Sequence, residues 1–62
     1  MEKEEIEKVL HNIKSRAVSL KNACELFLEC SKEEQIEIAK IMEETSRFIL
    51  EQTEKLNKNI NE

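Results

Sequence analysis

Glycine, proline, tryptophan and tyrosine are all missing from this 62-residue chain, and so is aspartate. The lack of glycine excludes most. No glycine-rich loop can wrap a phosphate, so a Walker loop, a dinucleotide fingerprint and a kinase-type nucleotide lid are all ruled out within these residues. A chain of 62 residues is about half the usual size of one domain and holds one small unit. What is present is a Glu/Lys/Ile/Leu mixture, 39% charged and 39% apolar. That composition is typical of long helices and coiled coils.

Charge is plentiful in both signs, with acid in excess. The chain carries 14 acidic and 10 basic residues, for a net charge of −4. A nucleic-acid binder normally shows the opposite balance, so no nucleic-acid partner is expected. No apolar run approaches the roughly 20 residues needed to span a bilayer, and Met1-Glu2-Lys3-Glu4-Glu5 is the reverse of a basic signal-peptide start. Cys24 and Cys30 lack CxxC spacing and would point to different faces of one helix. Neither an internal disulfide nor a zinc or other metal site is expected from them. Ordinary thiols of a cytoplasmic, reducing environment fit better.

The chain reads as two helices, about 2–30 and about 32–60, separated by one sharp break. Apolar or small residues recur as Ile6, Leu10, Ile13, Ala17, Leu20, Cys24 and Phe27, with spacings of four and three alternating over three heptads. Ile6, Ile13, Leu20 and Phe27 take one core position, and Leu10, Ala17 and Cys24 the other. Ala17 marks the expected closest approach of two helices. A second seam runs through Ala39, Met42, Ser46, Ile49, Thr53, Leu56 and Ile60, widened by Ile38, Ile41 and Phe48.

Between the seams, Ser31 followed by Glu34 forms a capping box. The hydroxyl caps the new helix while the carboxylate reaches back, and Glu33 and Glu34 favour the positive end of that helix. One unbroken helix through residue 31 is the alternative, since neither Gly nor Pro enforces a turn. The hairpin is the preferred reading. Two helices touching along one stripe bury too little to offset the entropy of ordering them. The second helix also carries apolar residues over more than one stripe. The expected architecture is therefore all-α: an antiparallel hairpin that homodimerises into a four-helix bundle. Its dimer core draws on the first seam together with Met42, Ile49 and Leu56.

Packing leaves His11 unexplained. It falls one residue past Leu10, facing water beside the seam, with Val18 seven residues on along the same stripe. From Lys8 to Lys21 the chain holds Lys8, Lys14, Arg16 and Lys21 and no acid. An acidic protein thus concentrates positive charge around an exposed imidazole. An ordinary surface histidine on a charged helix is the plainer reading of the same residues.

His11-Asn12-Ile13-Lys14-Ser15, followed by Leu20-Lys21-Asn22-Ala23 and Leu26, resembles the H-box helix of two-component sensor histidine kinases. Residues 32–58 are similar to that family's second dimerisation helix, so the likeness covers roughly residues 6–58. The resemblance implies a dimerisation and histidine-phosphotransfer module without the ATP-binding domain. His11 would be the phosphoacceptor, and Lys14 and Arg16 lie within about a turn of it. Ser15 matches the position that helps place a hydrolytic water when such proteins dephosphorylate their partner. The partner implied is a response-regulator receiver domain, whose acidic site suits Lys8, Lys14, Arg16 and Lys21 around the exposed Val18. No cofactor is implied.

Two residues depart from the family pattern. Asn12 stands where Glu or Asp usually orients the imidazole and takes its proton, so autophosphorylation by the usual route should be weak. Arg16 replaces the proline that bends the first helix, so this helix should run straighter. With no ATP site in these residues, the chain would supply at most a phosphotransferase or phosphatase half-site that needs a partner. The alternative is a catalytically silent dimeric scaffold or regulator that binds a partner without phosphotransfer. An unrelated helical hairpin, such as a small antitoxin or coiled-coil adaptor, is the third possibility.

Overall fold

The structure, a computed structural model, describes the backbone of residues 2–61 and the side chains of residues 2–58. Ile60, expected in the second seam, therefore lies outside the described side chains. Two helices, α1 (Lys3–Phe27) and α2 (Lys32–Asn61), fold back on each other as an antiparallel hairpin. The Cα trace measures 46 × 15 × 11 Å. Thirty residues of α2 at a rise of 1.5 Å span about 45 Å, so one helix sets the length of the molecule. The radius of gyration is 14.3 Å, against about 11 Å for a compact domain of this length. The hairpin is a rod.

The break falls where the capping box is written. Ser31 N–H donates to Glu34 Oε1 at 3.1 Å, Ser31 Oγ donates to the same oxygen at 2.8 Å, and Glu34 N–H donates to Ser31 Oγ at 3.3 Å. The reciprocal bonds satisfy donors that the first turn of α2 would otherwise leave unpaired. They also hold the Glu34 carboxyl below its ordinary pKa, chiefly through the Ser31 N–H and then through the hydroxyl.

The end of α1 has no such signature in the sequence. Its last helical residue is Phe27, three residues short of the expected end near 30. Tight i→i+3 bonds close the turn, from Glu29 N–H to Leu26 O at 3.0 Å and from Cys30 N–H to Phe27 O at 3.3 Å. The Gln35 side-chain amide adds a bond from α2 to Phe27 O at 2.9 Å. These donors satisfy the last carbonyls without the left-handed residue that usually ends a helix. Among the described residues none has a positive φ, so glycine is dispensable here.

The helices meet along a seam that differs from expectation in one register. Ile6, Ile13, Leu20 and Phe27 turn inward, half-buried, and so do Met42 and Ile49, with Leu56 buried. The second position on α1 is held by Val9 and Ala23, and on α2 by Ile38 and Thr45; Val9 and Thr45 are buried. Leu10, Ala17 and Cys24 of the first seam, expected in the core of a dimer, are exposed on the single hairpin, as are Ala39, Ser46 and Thr53 of the second. The physical reason is that one partner helix covers only one side of the Ile6–Phe27 row. Val9 lies on the covered side, and Leu10 on the other.

Among the described residues, none has a side chain below 2% exposed.

Candidate functional site

Seven residues are very nearly two helical turns, so His11 and Val18 stack on one row of α1. That row lies almost opposite the seam. His11 is exposed, and Val18 is 50% exposed. Together with Lys14, Ser15 and Ser19 they line a shallow, open depression on the outer surface of α1. Ser15 follows His11 by four residues and Lys14 by three, so both rise from the next turn on the same side of the helix. Ser19 was not singled out in the sequence. Only its four-residue offset from Ser15 pointed to it.

The other positive residues divide. Lys8 and Lys14 are exposed. Lys21 Nζ sits 3.2 Å from Glu25 Oε1 on the next turn, with both side chains largely in solvent. Such a pair contributes little to stability and is readily exchanged for a partner's carboxylate. Arg16 behaves differently. Its guanidinium lies 4.9 Å from the centroid of the Phe48 ring, so it stacks across the hairpin onto α2 instead of joining the His11 depression. The row that carries Arg16 also carries Val9 and Ala23, which explains the direction.

Asn12 is half-buried beside the seam. Among the described residues, none hydrogen-bonds to the His11 ring. The depression therefore offers an accessible imidazole, a nearby ammonium and two small hydroxyls, and the exposed Glu7 lies one turn before His11 on the same helix face. The depression can present a nucleophilic nitrogen to a group brought by another molecule.

Among the described residues, no group of three or more His, Cys, Asp or Glu is placed to hold a metal ion. Cys24 is an exposed free thiol and Cys30 a half-buried one. Desolvation at the turn, followed by the charges of Glu34 and Glu29, pushes the Cys30 thiol up in pKa, which makes it a poor thiolate nucleophile. Among the described residues, no helix is long and apolar enough to cross a membrane.

No family model, curated protein or solved structure matches the chain.

Proposed function

We propose that this chain is a dimerising helical module that exchanges a phosphoryl group with a response-regulator receiver through His11, two hairpins packing as a four-helix bundle. The observation that carries the reading is the placement of His11. It stands exposed on the row of α1 most distant from the seam, over a depression shared with Lys14, Ser15 and Val18. The likeness of residues 11–15 to an H-box supplies the chemistry.

In that chemistry the unprotonated ring nitrogen of His11 attacks the phosphorus of an aspartyl phosphate. An N–P bond forms, the P–O bond to the aspartate breaks, and the carboxylate departs on the receiver. Alignment and charge stabilisation account for most of phosphoryl transfer, so an open helix face suffices when the partner brings the rest of the site. Lys14 is near enough to offset charge on the transferring group. Ser15 is placed to hold a water for the hydrolytic alternative.

A second reading is favoured by Asn12. With an amide at position 12 in place of the usual carboxylate, the module would bind its partner as a dimeric scaffold without transfer. Incubation with radiolabelled phospho-receivers, with His11→Ala beside the unaltered chain, separates the two. Label moving to the unaltered chain alone establishes transfer. Label lost from the receiver but absent from the chain indicates dephosphorylation, with Ser15→Ala expected to slow it. Unchanged receiver label contradicts the transfer reading and leaves the scaffold.

A further inference from the structure

We propose that a second copy of this chain covers the side of the hairpin bearing Leu10, Ala17, Cys24, Ala39, Ser46 and Leu50, with its two-fold axis parallel to the helices. This deepens the reading of the chain as a dimerising module and rests on it.

The two helices run antiparallel, so the row that follows the inward row on each helix falls on the same side of the hairpin. On α1 that row is Leu10, Ala17 and Cys24; on α2 it is Ala39, Ser46 and Thr53, with Ile36 and Leu50 just outside it. Leu10, Ile36 and Leu50 are 52%, 61% and 57% exposed. This side also borders Ile6, Ile13, Leu20, Met42 and Ile49, which the hairpin leaves only half-buried. A second hairpin laid here would place both rows of all four helices at the centre of one bundle.

The area agrees with a second copy. The chain exposes 5254 Å², whereas a globular protein of 7.3 kDa exposes about 4,200 Å². The excess, about 1,100 Å², exceeds the roughly 800 Å² per partner of a standard stable interface. The polar atoms on this side are already provided for. Ser46 Oγ donates to Glu43 O at 2.8 Å, and Thr53 Oγ1 donates to Ile49 O at 2.7 Å. Neither hydroxyl would enter the interface without a partner, and the small side chains at Ala17, Ala39 and Ser46 let helices approach closely.

The opposite side is a poorer candidate. It offers Leu26, Ile41 and the partly covered Phe48, but Arg16 lies over the Phe48 ring, and Asn12 and Ser19 add polar groups. Like-charge contacts also choose the axis. Lys14 and Lys21 edge the proposed face on α1, and Glu43, which also holds Arg47, edges it on α2. A two-fold across the helices would bring Lys14 and Lys21 of both copies to one edge, where Glu25 already pairs with Lys21 and offsets part of the repulsion. A two-fold along the helices lays α1 on α2 of the second copy, where the lysines straddle Glu43 and Leu10 meets Leu50.

The test combines variants with cross-linking. Leu50→Asp should weaken the dimer about a hundredfold or more while circular dichroism stays helical, because it buries an unpaired carboxylate. Ser46→Arg should do the same by bulk, and Ile41→Asp should leave the dimer intact. In a Cys30→Ser background, a short bismaleimide should join the two Cys24 thiols, which lie at one level only if the axis runs along the helices. With the axis across them they sit roughly 20 Å or more apart. A helical monomer produced by Ile41→Asp overturns the choice of face. So does a dimer that survives both Leu50→Asp and Ser46→Arg. Absence of the Cys24 cross-link in an intact dimer overturns the axis. If the unaltered chain is itself monomeric, the dimeric part of the proposed function falls with this inference, whereas transfer to His11 is judged separately by the receiver assay.

Discussion

Ser31 and Glu34 hold the start of α2 through three reciprocal hydrogen bonds, and this pair was fully legible as a sequence pattern because both partners lie within one turn. Ser31→Ala should lower stability by about 1 kcal/mol, read as a lower urea midpoint. Because the folded pKa of Glu34 lies below its ordinary value of 4.5, its stabilising contribution is present above that value. It is lost as pH falls through the lower, folded value. The melting temperature of Ser31→Ala should therefore fall less steeply on acidification below about pH 4.5 than that of the unaltered chain. Equal slopes would contradict the link. His11 could likewise be read as outward from its offset to Leu10, and His11→Ala should leave melting within about 0.5 kcal/mol of the unaltered chain. Arg16 could not be read so. Its direction depends on Phe48, 32 positions along the chain, and the register between two helices is not written in either one.

Within each helix, the three-and-four spacing fixed the existence of α1 and α2 and the inward row of Ile6, Ile13, Leu20 and Phe27. It pointed to Leu10 as their companion, whereas in the hairpin Val9 takes that place. Both are apolar and adjacent, and a stripe wide enough to serve two neighbouring helices contains both. The structure resolves the stripe into a side covered by α2 and a side left exposed. The end of α1 was the other unread feature, since its carbonyls are satisfied by turn amides and by Gln35 from the next helix. Gln35→Leu should remove the bond to Phe27 O, costing about 1 kcal/mol. Faster amide exchange at Glu29 and Cys30 should accompany the change. Unaltered exchange there would show that the turn closes without Gln35.

The whole molecule is a thin rod with a net charge of −4, and among the described residues no side chain is fully enclosed. A single hairpin with this much exposed apolar surface is a poor endpoint for folding. The mass of the chain in solution tests the account most directly, by light scattering or sedimentation equilibrium at micromolar concentration. The account predicts twice the 7.3 kDa of one chain, with melting that rises with protein concentration. A mass of one chain, with melting independent of concentration, would contradict it.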